Sequence, residues 1–228
     1  MKTIEPIAYI KTDFKEKFGI PRQSGKSPTA KGTIIFNEKY RNIDALKGID
    51  EFSHLWLIFD FSAAHINEWS PTVRPPRLGG NKRIGVFATR SPFRPNSLGL
   101  SSVKFESLYK DNKYGYVLEV SGVDLLDGTP IYDIKPYLAY TDSHPEATGS
   151  YADQNLSHKL EVKFTKNCDD ILDIEIKTTL IECLSDDPRP SYIDNSDRVY
   201  RMNFSDFNVS FKVENNVLTV LEIDEAKK

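Results

Sequence analysis

The sequence predicts a mainly β protein, with a β-barrel-like N-terminal domain followed by a small α+β C-terminal domain. Three observations predict this class. The first two-thirds of the chain consists of short runs rich in Ile, Val, Phe and Tyr, turn-forming residues separate several of these runs, and few stretches have helical spacing. Many strands with few long helices are typical of a barrel or a sandwich. A chain of 228 residues is long enough for one or two such domains.

Seven runs in the N-terminal part have the composition of β-strands, and one stretch, at residues 42–52, has helical spacing. In the third run apolar residues occupy both sets of alternating positions, so we expect this strand to be buried on both sides. Turns are predicted at residues 111–115 and 127–130, each between two runs. In chain order the runs are IAYIKT, GTIIFN, SHLWLIFDF, RIGVFAT, SSVKFESLY, YGYVLEVSGVDLL and IYDIKPYL.

A change of composition near residue 145 predicts the boundary between the two domains. The polar stretch HPEATGSYADQNLSHK is typical of a linker, so the predicted domains are residues 1–148 and 149–228. Beyond the linker we expect a strand in KLEVKF and a helix over residues 168–184, which the segment SDDPRPSY ends. Two or three further strands are predicted in RVYRMNF, FNVSFKV and VLTVLEI.

The charge of the chain is unevenly distributed. The net charge is −3, yet residues 71–104 carry +7 with no Asp or Glu among them, so the remainder carries −10. This balance argues against a general nucleic-acid binder and in favour of one focused anionic partner. The alternative is a solvated basic loop whose charge only offsets acids elsewhere. The seven basic residues are Arg74, Arg77, Lys82, Arg83, Arg90, Arg94 and Lys104.

Several functional classes lack their sequence patterns. The chain contains no nucleophile elbow, phosphate-binding loop, zinc-protease motif, paired Cys motif or dinucleotide fingerprint. Its four histidines stand singly, and Cys168 and Cys183 match no metal or redox spacing, so no metal is expected. No apolar run reaches the roughly 20 residues of a membrane span, and charged residues come too early for a secretory signal. We therefore expect a cytoplasmic protein that does not associate with membranes.

Four loops combine stiffness with polarity. They are GIPRQSG at 19–25, RPPRLGGNKR at 74–83, TRSPFRPNS at 89–97 and DLLDGTP at 124–130. Proline restricts these loops and glycine allows close backbone approach, which suits a ligand site at strand ends. Arginines pair with carboxylate or phosphate, while the two aspartates of the last loop suit ribose hydroxyls or a cationic centre. A nucleoside ligand with a carboxylate and a positive sulfonium would fit this combination.

The same loops, with their neighbours, are similar to the TsaA-like, TrmO-type tRNA methyltransferases. The similar segments cover nearly the whole chain. The resemblance implies a β-barrel-like methyltransferase that uses S-adenosyl-L-methionine and is usually a homodimer. It also implies methyl transfer to N6 of threonylcarbamoyladenosine beside the anticodon of threonine tRNA. The similar segments are PRQ at 21–23, FSHLWLIFDF at 52–61, PTVRPPRLGGNKRIGVFATRSPFRPNSLGLS at 71–101, VDLLDGTPIYDIKPYL at 123–138 and DPRPSY at 187–192.

The resemblance also implies a set of site residues. Relatives often have a histidine where Ser62 stands, and the nearest histidine here is His65, so either could make that contact. We expect Arg77, Arg94 and Arg189 to meet tRNA, together with Tyr192. The implied cofactor contacts are Pro21, Arg22, Gln23, Phe61, Ser62, Arg90, Leu100, Asp124, Leu125, Leu126 and Asp127.

The implied reaction would use a general base. A carbamoyl substituent makes the remaining N–H of the adenine more acidic, so its removal by a positioned group is plausible. Asp127, Asp133 and Tyr192 are candidates, and the sequence does not choose among them; we take Asp127 and Tyr192 as the catalytic pair.

The segment DPRPSY has two interpretations. Its prolines could only end a helix and stiffen a connector. Alternatively Arg189 contacts a phosphate or base and Tyr192 stacks on a flipped-out nucleotide, as in the recognition of single-stranded RNA. The resemblance favours the second interpretation.

Two other functions remain as alternatives. The basic stretch could belong to a non-catalytic RNA-binding module, which would have no reason to bind a methyl donor. A hydrolase using Ser91 or Ser97 ranks far behind, because neither serine has a positioned histidine and acid.

Overall fold

Twelve β-strands and two α-helices make up the described part of the computed structural model, residues 3–75, 82–155, 159–189 and 196–226. The strands are β1 (Ala8–Thr12), β2 (Lys31–Phe36), β3 (His54–Asp60), β4 (Thr72–Val73), β5 (Ile84–Gly85), β6 (Leu98–Asp111), β7 (Gly115–Ser121), β8 (Thr129–Pro136), β9 (Glu161–Phe164), β10 (Tyr200–Phe204), β11 (Phe207–Glu214) and β12 (Val217–Glu225). The helices are α1 (Ala139–Asp142) and α2 (Ile174–Ser185), and short 3-10 helices occupy Glu38–Tyr40, Ile43–Leu46, Ile49–Glu51, Ser62–Ala64, Val86–Ala88 and Ser150–Asn155.

Six of the strands close into an antiparallel barrel in the order β1-β2-β7-β6-β3-β8, which confirms the predicted β-barrel-like architecture. β1 completes the cylinder by pairing with β8, with Ala8 opposite Ile131. The side chains of Ile10, Leu57 and Leu118 fill the interior and are fully buried, because alternate residues of a strand share one face. Closure removes the free sheet edges, so the loops at the strand ends are the parts of the barrel available for a site.

β3 is buried on one face only. Leu55 and Leu57 lie in the barrel core, whereas Trp56 and Ile58 on the outer face are half-buried. The expectation of burial on both sides is therefore wrong at Trp56 and Ile58, because the chain that packs on the outer face covers these residues only in part. Trp56, for example, donates its indole N–H to Asp142 of α1 at 2.8 Å.

Two N-terminal stretches differ from their predicted elements. The expected helix at residues 42–52 is a pair of 3-10 helices, separated at Gly48, whose φ of 79° lies in the left-handed region. The expected strand RIGVFAT is a strand only at Ile84–Gly85 and continues as 3-10 helix. Within the ranges that the structure describes, β5 pairs only with the two-residue β4, so its ladder ends there.

The C-terminal part is a four-stranded sheet with the order β10-β11-β12-β9, in which β9 runs parallel to β12. Helix α2 shares its core with this sheet, through Leu180 and Leu184. The helix begins later than the predicted residue 168 because Asp173 caps it, accepting hydrogen bonds from the backbone N–H groups of Glu175 and Ile176. No helix among the described residues is long and apolar enough to cross a membrane. The predicted boundary at residue 148 stays a prediction.

The C-terminal domain packs against the segment that joins β1 to β2. Phe18 of that segment stacks on Phe211 with ring centroids 6.2 Å apart. The carboxylate of Glu182 in α2 accepts from the hydroxyl of Thr29 at 2.8 Å and from its backbone N–H at 3.1 Å. The loop that contains PRQ is therefore held at both ends by the second domain.

Candidate active site

Three loops at one end of the barrel bring together Gln23, Arg90 and Asp124. Gln23 lies between β1 and β2, and its side-chain oxygen accepts a hydrogen bond from the guanidinium of Arg90, which precedes β6. Backbone contact joins the Gln23 loop to the loop of Asp124, because the N–H of Gly25 donates to the carbonyl of Gly122 at 2.9 Å. Gly122 has a φ of 73°, and an added Cβ would lie 3.4 Å from Gly25 Cα. Gly25 has a φ of 74°, and glycine adopts this left-handed conformation at both positions without strain.

Asp124 is the half-buried ionisable group of the site. Burial raises the pKa of its carboxyl to about 6, while the Ser101 hydroxyl, the backbone N–H of Ser24 and the charge of Arg90 lower it in part. Its Oδ1 is inaccessible to solvent and has no hydrogen-bond partner of good geometry among the described residues. An unsatisfied buried polar group costs about 1–3 kcal/mol. Such a group is typical of a site where a ligand supplies the missing donor.

The sequence did not identify Ser24 and Ser101 as part of this group. Ser24 follows PRQ directly, and Ser101 is the last residue of the 71–101 segment. Ser101 is buried, whereas its neighbour Leu100 is 57% exposed, so alternation along β6 directs the hydroxyl inward and the predicted contact Leu100 outward. The available signal was the alternation of the small residues Ser97, Gly99 and Ser101 with the apolar residues between them.

The other two residues of PRQ lie differently. Pro21 is buried. Arg22 donates through Nη2 to the backbone carbonyls of Asp187 at 2.9 Å and Arg189 at 3.0 Å. These contacts join the predicted cofactor loop to the DPRPSY segment of the C-terminal domain.

Phe61 and Ser62 follow β3 at the same end of the barrel. The backbone N–H of Phe61 donates to the carbonyl of Ser97 at 2.7 Å, and its ring meets Phe59 edge-on at 5.1 Å. Ser62 is exposed at the start of a 3-10 helix. His65 ends that helix, and its Nε2 lies 2.8 Å from Oδ1 of Asp60.

The remaining residues of DLLD are tied to the barrel. Leu125 is part of the core, and Leu126 is half-buried and accepts through its carbonyl from Thr129. Asp127 uses both oxygens, since Oδ1 accepts from the N–H of Thr12 at 2.9 Å and Oδ2 lies 3.0 Å from Nζ of Lys15. The carboxylate of Asp127 thus has structural partners, and its catalytic role stays a prediction.

The other candidate base and the predicted RNA contacts can be placed in part. Asp133 pairs with Lys135 at 2.9 Å. Arg94 donates through Nη1 to the carbonyl of Thr89 at 2.9 Å. Arg189 forms a two-point ion pair with Asp187, at 2.8 and 2.9 Å. Arg77 and Tyr192 lie outside the described residues, and the roles of all five stay predictions.

Comparison with known proteins identifies the family to which the chain belongs. The N-terminal domain model of tRNA-methyltransferase O matches residues 9–143, and the TrmO C-terminal domain model matches residues 157–226. The tRNA (adenine(37)-N6)-methyltransferase of Escherichia coli is 41% identical over 219 residues, which is 92% of each chain. A putative S-adenosylmethionine-dependent methyltransferase of Pseudomonas aeruginosa is 39% identical over 197 residues, or 83% of each chain.

Solved structures agree with the sequence relatives. The crystal structure of TrmO from Pseudomonas aeruginosa superimposes with a TM-score of 0.77 at 30% identity, covering 98% of both chains. Both domains are therefore shared, and not the barrel alone. The chain belongs to the tRNA-methyltransferase O family and is an enzyme of the methyltransferase class.

Proposed function

We propose that the chain transfers a methyl group from S-adenosyl-L-methionine to N6 of adenosine 37 in tRNA, and that this adenosine carries threonylcarbamoyl in threonine tRNA. Relatives named as adenine(37)-N6 methyltransferases align over most of the chain, which supports the reaction. The threonylcarbamoyl detail rests on the family resemblance alone. The single structural observation that carries the proposal is the buried, unsatisfied oxygen of Asp124 beside Gln23 and Arg90.

The residues present fit the proposed methyl donor. Asp124 offers an acceptor for a hydroxyl or ammonium group, and Arg90, exposed and oriented by Gln23, offers donors to a carboxylate. The bound donor supplies an activated methyl group on a positive sulfur. The carboxyl of Asp124 is largely ionised near neutral pH, because its pKa is about 6, so it can attract a positively charged ligand.

Positioning is the main task left to the protein. In-line transfer needs the adenine nitrogen, the methyl carbon and the sulfur in one line, and such alignment is worth roughly 7–11 kcal/mol. A base role for Asp127 or Asp133 would first require the ion pairs with Lys15 or Lys135 to open. Tyr192 lies outside the described residues and remains a candidate base on the family resemblance alone.

The assembly and location of the protein follow from the same proposal. The resemblance to TrmO-type enzymes supports a homodimer, which light scattering of the purified protein would test. A tRNA substrate supports a cytoplasmic location. A monomer at micromolar concentration would contradict the dimer without affecting the proposed reaction.

Two experiments test the proposed function. Mass spectrometry of anticodon-loop nucleosides, from cells with and without the gene, should show loss of the methylated threonylcarbamoyladenosine and accumulation of its precursor. Calorimetry should show that the purified protein binds S-adenosylmethionine, which a non-catalytic RNA-binding module has no reason to do. Unchanged nucleosides together with no binding would overturn the proposal.

A further inference from the structure

A cleft lies beside the candidate active site, and no role described above involves the cleft as a whole. Two residues of its wall carry predicted contacts, Arg94 with tRNA and His65 as the alternative to Ser62. The cleft has a volume of about 400 Å³, within the range of about 300–1,000 Å³ that small-molecule sites occupy. The cleft adjoins the active site, because Ser97 in its wall binds Phe61 and Arg94 shares a loop with Arg90. Its wall consists of His65, Ile66, Asn67, Trp69, Arg94, Pro95 and Ser97.

The buried carboxylate of Asp60 orients the ring of His65 in the wall of this cleft. Asp60 is only 8% exposed, and its Oδ1 holds Nε2 of His65 at 2.8 Å, while the imidazole itself is 62% exposed. Nδ1 of His65 makes no hydrogen bond within the described ranges. A carboxylate that binds one ring nitrogen sets the orientation of the other, so the wall presents an imidazole in a defined position.

An aromatic pair lies at the cleft, with Trp69 in its wall and Phe87 next to Trp69. Trp69 is 49% exposed and Phe87 is 74% exposed, with their ring centroids 6.2 Å apart. Two adjacent aromatic rings left open to solvent are characteristic of a binding surface. Single-stranded nucleic acid is bound by such rings, because every base offers a flat face for stacking.

Cationic groups surround the same cleft. Arg94 uses Nη1 to bind the carbonyls of Thr89 and Ser91, which fixes its guanidinium in the wall. Arg83 donates through Nε to the hydroxyl of Thr72 at 2.7 Å and lies near Ser70, the neighbour of Trp69. Both arginines belong to a stretch that contains no acid, and the acids nearest the cleft in sequence are Asp60, which binds His65, and Glu68. Arg94, in the wall itself, is suited to bind a phosphate.

We propose that this cleft binds one unpaired nucleotide of the anticodon loop, next to the adenine that is methylated. Its base stacks on Trp69, the side-chain amide of Asn67 meets the base edge, Arg94 faces the phosphate, and Nδ1 of His65 accepts from a ribose hydroxyl. The proposal rests on the proposed function, because it takes its ligand from the tRNA substrate. It goes beyond that function because it names a subsite that determines which nucleotide of the anticodon loop reaches the active site.

Fluorescence of single-tryptophan proteins tests the stacking directly, since the chain has two tryptophans, Trp56 and Trp69. The probe is a synthetic anticodon stem-loop of threonine tRNA. Trp56→Phe leaves Trp69 as the reporter and should show saturable quenching by the RNA, whereas Trp69→Phe should show little. Circular dichroism confirms folding, because Trp56→Phe removes the hydrogen bond to Asp142. Equal quenching in the two proteins, or none in Trp56→Phe, would overturn the proposal.

Steady-state kinetics provide a second readout that separates this proposal from the function itself. Trp69→Ala should raise KM for tRNA roughly tenfold, with kcat and the affinity for S-adenosylmethionine unchanged, and Trp69→Phe should restore KM. His65→Ala should raise KM in the same way, while His144→Ala, another exposed histidine near a carboxylate, should not.

The other outcomes are equally informative. Normal methylation by Trp69→Ala with an unchanged KM would remove the subsite and leave the proposed function standing. No methylation by wild-type protein would remove the proposed function. If Trp69→Ala changes the sedimentation of the protein from dimer to monomer, the cleft is a surface between two copies of the chain and the nucleotide proposal fails.

Discussion

Replacing Asp124 with asparagine is expected to stabilise the protein while weakening its binding of S-adenosylmethionine. Burial raises the pKa of this carboxyl from the ordinary 3.8 to about 6, so the folded state holds the proton more tightly than the unfolded chain. The protonated carboxyl therefore stabilises the folded state, fully below about pH 4, and this contribution is lost as the pH rises through about 6. At pH 8 the wild-type protein therefore bears the cost of a buried charge.

The size of the effect follows from that shift. About two pKa units correspond to roughly 3 kcal/mol, and asparagine avoids this cost because it never ionises. Part of the residue reaches solvent, so we expect a gain of about 1–3 kcal/mol in the free energy of unfolding at pH 8. The gain should disappear near pH 4. Urea unfolding followed by circular dichroism across this range measures it.

Asp127→Asn is the matched control, three residues along the same loop. Its carboxylate is ion-paired with Lys15 at 3.0 Å and accepts from Thr12, so its loss should destabilise the protein, by about 0.5–1 kcal/mol for a partly exposed pair. The two variants should thus differ in sign. Calorimetry should show that Asp124→Asn binds the methyl donor at least roughly tenfold more weakly. Destabilisation of Asp124→Asn at pH 8, or an undiminished affinity, would refute the role assigned to Asp124.

The remaining predictions concern packing, capping and reactivity. Gly99→Ala should destabilise the barrel by about 1–3 kcal/mol, measured by urea unfolding, because an added Cβ would lie 2.2 Å from the ring of Phe59; a neutral effect would mean that the ring moves freely. Asp173→Ala removes the N-terminal cap of α2 and should lower the free energy of unfolding by about 1 kcal/mol in the same assay. Asp170→Ala is the control, because it removes a nearby aspartate that does not cap the helix. Burial raises the pKa of the Cys183 thiol to about 12, so iodoacetamide at pH 8 should label it only after unfolding, as mass spectrometry would show; rapid labelling of the native protein would contradict this assignment.

The sequence could predict the architecture because barrel strands follow local rules. Alternating apolar residues and intervening turns require no knowledge of distant contacts, and the closed barrel and the small C-terminal domain agree with that pattern. The errors occur where neighbours decide the outcome. The outer face of β3 is as apolar as its inner face at Trp56 and Ile58, yet only barrel closure determines which side faces the core. RIGVFAT has strand composition, but its available partner is the two-residue β4.

The same reasoning explains why the site was predicted as a set of loops and not as a set of roles. Asp124 and Asp127 lie in one short motif, and composition treats them alike. Their environments differ through residues distant in sequence: Lys15 neutralises Asp127, whereas Asp124 is enclosed near Arg90 with one oxygen unsatisfied. A surface carboxylate with partners contributes mainly to stability, whereas a carboxylate with one enclosed, unsatisfied oxygen is retained at a cost. We therefore predict that Asp124 is retained for ligand binding, and the expected stabilisation by Asp124→Asn together with weaker binding of the methyl donor would support this prediction.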